Sequence, residues 1–109
     1  MFRLKNEEWK ERGKGKIKIL KHKENGKIRL VMKSDKIFLV RANHYLKKTD
    51  LYCKLEKSLI EENAWNWITP DIADGELQDE QYCAKFKTEE ESIKFKETFN
   101  QCCNDQMIS

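Results

Sequence analysis

Two short segments of the chain decide its fold: KIKI at residues 16–19 and IRLVM at residues 28–32. Apolar and polar side chains alternate in the first and, more loosely, in the second, which is the period of a β-strand with one buried face. Asn25-Gly26 lies between them and is a strong hairpin signal, although both a two-residue loop and a longer one fit the pattern. Ser34-Asp35 then turns the chain into IFLV at 37–40, so the sequence predicts a meander of three antiparallel strands.

Shorter strands are predicted further along the chain, at residues 51–53, 64–68 and 81–86. Trp65 and Trp67 are two residues apart, so they project to the same face of the middle one of these strands. Thr69-Pro70 is expected to end that strand, because proline cannot donate to a sheet ladder. Asp74-Gly75 marks a turn before the last strand.

The pattern changes to that of a helix near the end of the chain. Thr88 and Glu91 have the spacing of a capping box, with Thr88 as the N-cap. The predicted helix has one apolar stripe, formed by Phe95, Phe99, Cys102 and Gln106. We expect the core to contain the large aromatic residues Trp65, Trp67, Phe86, Phe95 and Phe99.

This order of elements predicts a mainly β fold with one C-terminal α-helix. About seven short strands closed by a helix resemble the pleckstrin-homology superfold, a seven-stranded barrel or sandwich capped by a helix. A length of 109 residues fits a single domain over residues 1–109. The apolar runs are too short to cross a bilayer and no signal-peptide core is recognisable, so we expect a compact, soluble, intracellular domain without membrane insertion.

Charge is distributed unevenly along the chain. Residues 1–54 contain 17 basic and 6 acidic side chains, a net +11, whereas residues 55–109 contain 5 and 13, a net −8. Such polarity often produces a basic face that attracts an anionic partner, such as nucleic acid, a membrane surface or an acidic protein segment. Alternatively, the charges only solvate opposite faces of the domain.

The reactive residue types do not form a recognisable catalytic or metal site. The cysteines have no CxxC spacing and the two histidines are far from them in sequence, so no metal site is expected and the thiols are expected to be reduced. GxSxG, HExxH and phosphate-cradling glycine loops are all missing. These absences weaken an enzymatic interpretation, and we expect no catalytic residues and no cofactor.

Seven segments in the right order resemble the Ran-binding domain family, over about residues 2–103. The most specific is the WKERG motif at residues 9–13, which continues into the strand that ends at residue 20. The other segments that carry the resemblance are residues 25–32, 42–45, 65–67, Asp71, 73–75 and 84–88.

The resemblance implies a pleckstrin-homology-type fold and a partner, the small GTPase Ran in its GTP-bound form. It further implies that the domain holds Ran's acidic C-terminal tail against a basic surface. In this way the domain would assist hydrolysis stimulated by the separate Ran GTPase-activating protein, and the release of importin- and exportin-type receptors. The implied location is the cytoplasm and the nuclear pore complex at the nuclear envelope.

The candidate Ran-binding residues form two groups. The WKERG motif supplies one group, although the Trp9 ring could instead pack under the first strand and Gly13 serve backbone geometry. The other group consists of the basic residues of the hairpins together with Asn43. Asn43 could instead cap its own turn. Each lysine considered singly could simply be solvated surface. The full set is Trp9, Lys10, Glu11, Arg12, Gly13, Lys16, Lys18, Lys27, Arg29, Lys33, Lys36 and Asn43.

Three other functions compete with Ran binding. A phosphoinositide-binding pleckstrin-homology domain would use the same basic hairpins, but lipid binders lack the WKERG motif. A reader of proline-rich peptides would need an exposed aromatic cluster at Trp65 and Trp67. RNA binding would need aromatic side chains interleaved with the basic ones, and the sequence has no such platform, so no nucleic-acid partner is expected.

Overall fold

The computed structural model describes residues 1–5, 7–35, 39–46, 52–59 and 61–107, with side chains up to residue 103. Within them the chain forms eight strands followed by one helix. The strands are β1 (Phe2–Lys5), β2 (Glu8–Glu11), β3 (Gly15–Lys21), β4 (Ile28–Ser34), β5 (Val40–Tyr45), β6 (Glu56–Lys57), β7 (Ala64–Asp71) and β8 (Gln78–Lys85), and the helix is α1 (Glu89–Met107).

The strands form two antiparallel sheets that enclose the core. The larger sheet has the order β2-β1-β8-β7-β6, and the smaller one is the meander β3-β4-β5. This is a pleckstrin-homology-like sandwich capped by a C-terminal helix, which confirms the predicted fold class. The described residues contain eight strands instead of about seven, partly because Glu7, with a φ of 65°, turns the chain between β1 and β2.

The predicted β3–β4 hairpin is confirmed, with the longer of the two possible loops. Lys21 pairs with Ile28, so six residues separate the paired ends. Two side chains order this loop: His22 Nδ1 accepts hydrogen bonds from the backbone N–H groups of Glu24 and Asn25, and Asn25 Oδ1 accepts one from Lys27 N–H. Asn25-Gly26 therefore belongs to a wider turn, where Gly26 has a φ of 71°.

Two predicted strands need correction. The third strand of the meander begins at Val40 and ends at Tyr45, later than residues 37–40, and residues 37 and 38 lie outside the described part. The strand predicted at 51–53 is wrong for Tyr52 and Cys53, while Leu51 is not described. Cys53 has a φ of 57°, which is incompatible with extended backbone.

Strand β7 does not end at Thr69-Pro70, as predicted, but continues to Asp71. The C=O of Ile68 accepts a hydrogen bond from Cys53 N–H, so the backbone groups of Ile68 point away from β8. Because the backbone groups of every second residue in a strand point to the same side, those of Pro70 also point away from β8. Its missing N–H therefore costs no hydrogen bond with β8, and the strand can pass through proline.

The start of the helix is confirmed, and its apolar stripe is confirmed in part. Thr88 Oγ1 accepts a hydrogen bond of 3.1 Å from Glu91 N–H, as an N-cap does. Phe95 and Phe99 are buried, but the next fully buried position is Cys103, while Cys102 is half-buried. The side chain of Gln106 lies outside the described part.

The core lies between the sheets and under the helix. Trp67 is 2% exposed and its ring centroid lies 5.9 Å from that of Phe95 and 5.5 Å from that of Phe99. Trp65 and Phe86, also predicted as core, are half-buried and pack against this cluster. Trp65 Nε1–H donates to Ser92, which fixes the indole against the helix.

Candidate functional site

The outer face of the small sheet carries most of the predicted basic residues. Leu30 and Met32 on β4 point into the core. The residues that alternate with them, Arg29, Val31 and Lys33, therefore point outward. The register then aligns the outward side chains of the three strands in rows: Lys16 with Lys33; Lys18 with Val31 and Asn43; Leu20 with Arg29 and Tyr45.

We call Lys16, Lys18, Lys27, Arg29 and Lys33 the basic face. Within the described residues, none of the five forms an ion pair, although Arg3, Arg12 and Lys85 do so elsewhere in the domain. Among the described residues, no acidic side chain therefore neutralises these charges. Arg29 and Lys27 lie over the Tyr45 ring, at 4.7 and 5.4 Å from its centroid, in cation–π geometry.

A cavity of about 250 Å³ opens at the edge of this sheet, between β5, β7 and the segment 72–77. Its walls are mostly apolar, and Arg29 and Asn43 join it to the basic face. Asn43 Oδ1 is buried and makes no hydrogen bond within the described residues, so it does not cap a turn as one alternative proposed. The lining residues are Arg29, Asn43, His44, Tyr45, Tyr52, Cys53, Thr69, Pro70, Ile72 and Leu77.

A buried polar chain supports β5 beneath this cavity. Trp67 Nε1–H donates to His44 Nε2 at 3.2 Å, and His44 Nδ1 lies 2.8 Å from Asp71 Oδ2. The same carboxylate accepts hydrogen bonds from the N–H groups of Asn43 and Ala73. Burial raises the pKa of Asp71, but the hydrogen bonds from His44, Ala73 and Asn43 outweigh burial and leave that pKa below its ordinary value.

The WKERG segment begins on β2, at the edge of the larger sheet, and its last two residues, Arg12 and Gly13, follow that strand. Trp9 is half-buried, whereas Lys10 and Glu11 are exposed. Arg12 differs from its neighbours because its side chain is only 7% exposed and donates to the Arg41 carbonyl at 2.8 Å. The structure therefore brings the basic residues together but places this segment on a different sheet, with one of its side chains already engaged.

Asp74 ties this segment to the turn at 73–75. Its carboxylate accepts hydrogen bonds from Arg3 at 2.6 Å and from Arg12 at 3.1 Å. The hydrogen bond from Arg3, reinforced by Arg12, lowers the pKa of Asp74. The turn itself was predicted from Asp74-Gly75, but its ionic link to β1 and β2 was not, because the partners are more than 60 positions apart.

Two glycines set the crossing from β2 to β3. Gly13 has a φ of 117°, a region that favours glycine, so its predicted role in backbone geometry is confirmed. Gly15 was not predicted as important, yet a Cβ there would lie 1.9 Å from the Lys33 carbonyl oxygen. The close approach of β3 to β4 therefore requires glycine at this position.

Other sequence predictions have mixed outcomes. Lys36 lies outside the described residues.

The sequence analysis missed three contributors to the site: His44, Tyr45 and Asp71. It had noted residues 42–45 and Asp71 only as segments that carry the resemblance to the family. The exposed aromatic pair that a proline-rich-peptide reader needs is contradicted, because Trp67 is buried and the Trp65 indole N–H is bonded to Ser92.

Within the described residues, the side chains and the helix lack the features of a metal site, a disulfide and a membrane crossing. These residues contain no cluster of three or more potential metal ligands. None of the cysteines forms a disulfide. The helix lacks the combination of length and hydropathy that a bilayer crossing requires.

The two-sheet sandwich, with a basic face that has no acidic partner among the described residues, defines a pleckstrin-homology-like binding domain. The chain matches the family model described as the RanBP1 domain over residues 1–105, and it belongs to that family.

Curated relatives share nearly the whole chain. It is 41% identical over 104 residues to human E3 SUMO-protein ligase RanBP2, which covers 94% of this chain and 3% of that protein. It is 40% identical over 104 residues to human RanBP2-like and GRIP domain-containing protein 3, at 94% and 6% coverage. It is 37% identical over 110 residues to Ran-binding protein 1 homolog c of Arabidopsis thaliana, at 99% and 49% coverage. The chain thus spans less than half of each relative's length.

Proposed function

We propose that this domain is a binding module for Ran in its GTP-bound form and serves nucleocytoplasmic transport. The observation that carries the proposal is the basic face, whose charges have no acidic partner among the described residues of a RanBP1-family domain. An acidic protein segment is the complementary ligand for such a face. Ran's acidic C-terminal tail is the segment that the family membership implies.

Electrostatics would act mainly on the rate and selectivity of this binding. A face of one sign steers an oppositely charged segment towards it and raises the association rate. Within the WKERG segment, Lys10, Glu11 and the exposed part of Trp9 are available for contact. Arg12 would instead hold the segment in place through Arg41 and Asp74.

The finer function follows from holding the tail. A domain that sequesters the tail would favour one arrangement of Ran, and so assist hydrolysis by the separate GTPase-activating protein and the release of importin- and exportin-type receptors. The domain would contribute binding energy and no catalytic group. Its place of action would be the cytoplasm and the nuclear pore complex.

Calorimetric titration with Ran loaded with a non-hydrolysable GTP analogue or with GDP tests the proposal. We expect much tighter binding of the GTP form, because the nucleotide state decides whether the tail is available. Equal affinity for the two forms would contradict the proposal.

A parallel measurement with vesicles that contain phosphoinositides tests the alternative function. We expect no saturable binding, because the cavity beside the basic face has mostly apolar walls and, among the described residues, Arg29 is the one lysine or arginine that lines it. Saturable vesicle binding together with no response to Ran would favour the lipid-binding alternative.

A further inference from the structure

We propose that the cavity beside Tyr45 receives one apolar side chain of the acidic segment that lies across the basic face. This inference rests on the proposed function and adds a pocket to it. The ligand it defines is an acidic peptide segment with an apolar side chain next to a carboxylate. Charge alone would not select such a segment among other acidic chains.

The size and chemistry of the cavity fit a side chain. A volume of about 250 Å³ is below the roughly 300–1,000 Å³ of pockets that take drug-sized ligands. Three large apolar residues at its mouth are strongly exposed: Tyr45 at 48%, Ile72 at 40% and Leu77 at 71%. An apolar side chain bound between them would shield part of the exposed apolar surface of all three from water.

The polar groups around the mouth orient the segment. Arg29 and Lys27 lie over the Tyr45 ring on one side, where they can pair with a carboxylate. On another side the Tyr52 hydroxyl donates to Asp79 at 2.9 Å, which places a negative charge there. The acidic residue of the ligand therefore lies towards Arg29 and away from Asp79.

Asn43 indicates that the ligand is a peptide, because it offers an acceptor for a backbone N–H. Asn43 lines the cavity, and its Oδ1 is a buried acceptor without a hydrogen bond within the described residues. A buried acceptor without a partner is costly, and the terminal torsion of asparagine is soft. A small rotation of the amide would let Oδ1 accept a hydrogen bond from a peptide N–H at the mouth.

The test replaces apolar side chains at the mouth of the cavity with polar, uncharged ones, so the charge of the domain does not change. The variant Ile72→Ser with Leu77→Ser is compared with a control, Ile93→Ser with Leu59→Ser, whose side chains are 41% and 100% exposed elsewhere. Affinity for Ran bound to a GTP analogue is measured over a series of salt concentrations, after thermal melting has shown that both variants are folded. We expect the mouth variant to bind at least about tenfold more weakly at every salt concentration, with the salt dependence unchanged.

The outcomes separate this inference from the proposed function. A mouth variant that binds as tightly as the control, while the wild type binds Ran-GTP, overturns the pocket and leaves the proposed function standing. A wild type that does not bind Ran-GTP overturns the proposed function, and this inference falls with it.

Discussion

Asp71 and His44 hold the cavity and the adjoining part of the basic face in place through a short chain of buried hydrogen bonds. His44 Nε2 accepts from Trp67, so this nitrogen carries no proton and Nδ1–H must donate to Asp71. The carboxylate also accepts from Asn43 and Ala73, and so joins β5 to the turn after β7. One buried acid therefore fixes the backbone of two neighbouring elements of the site.

Asp71→Asn tests this role through stability. Loss of hydrogen bonds to a buried charge should lower the free energy of unfolding at pH 7 by roughly 2–3 kcal/mol. The folded-state pKa of Asp71 lies below the ordinary 3.8, so its contribution is complete above 3.8 and is lost as the pH falls through the folded-state value. The difference between wild type and variant should therefore shrink below about pH 4, as measured by urea unfolding.

Asp35→Asn is the control, because Asp35 is exposed. This substitution should leave stability nearly unchanged at both ends of the pH series. A stability difference between wild type and Asp71→Asn that grows on acidification would contradict the assignment.

Sequence patterns predicted which residues alternate but not which side chains meet. His44 lies 27 positions before Asp71 and 23 before Trp67, and such contacts depend on how the two sheets pack. The steric need for Gly15 likewise appears only once β3 is placed against the Lys33 carbonyl. The basic residues were easier to predict, because strand alternation alone puts Lys16 and Lys18 on one face.

Among the elements, those with local signals were predicted best. The hairpin and the helix start depend on neighbouring residues, Asn25-Gly26 and Thr88, and both are confirmed. The predicted strand at 51–53 failed because the left-handed backbone at Cys53 leaves no trace in an apolar triplet. The predicted end of β7 was wrong because proline interrupts a strand only where its N–H would have bonded to the neighbouring strand. The sequence does not show on which side of β7 the backbone N of Pro70 lies.

Thr88→Ala tests the helix as an element that closes the core without binding Ran. Loss of the hydrogen bond to Glu91 N–H should lower the free energy of unfolding by about 1 kcal/mol. Phe99→Ala should cost more, roughly 3–5 kcal/mol, because Phe99 is fully buried. Affinity of Thr88→Ala for Ran-GTP, measured well below the denaturation midpoint, should stay close to that of the wild type.

Trp9→Ala provides the contrast. Trp9 is half-buried on the edge strand β2, so its loss should reduce affinity more than stability. If Thr88→Ala abolished binding while remaining folded, the helix end would belong to the interface, and the division between closing helix and binding strands would be wrong.

The charge asymmetry of the sequence becomes an asymmetry of the whole molecule. The basic first half forms the whole small sheet and strands β1 and β2 of the larger one, whereas the acidic second half supplies β6, β7, β8 and a helix that begins with Glu89, Glu90 and Glu91. The domain therefore combines a net charge of only +3 with a strongly basic face. An acidic partner would be attracted to the basic face, which orients its approach.

Lys27→Glu combined with Arg29→Glu tests this polarity. The double variant should bind Ran-GTP at least about tenfold more weakly at low salt, because like charges would then meet across the interface. Wild-type affinity should fall as salt is added, since the Debye length is only about 8 Å at physiological ionic strength, and the variant should show a flatter dependence. Calorimetric titration over a salt series measures both effects.

Lys87→Glu combined with Lys94→Glu is the matched control, since it changes the net charge equally near and within the helix, away from the basic face. If binding depended only on net charge, the two double variants would lose affinity alike. We expect the control to lose much less, because neither lysine lies on the small sheet and screening limits the reach of their charges. Equal losses, or wild-type affinity of the Lys27 and Arg29 double variant at low salt, would show that the basic face does not hold the acidic segment.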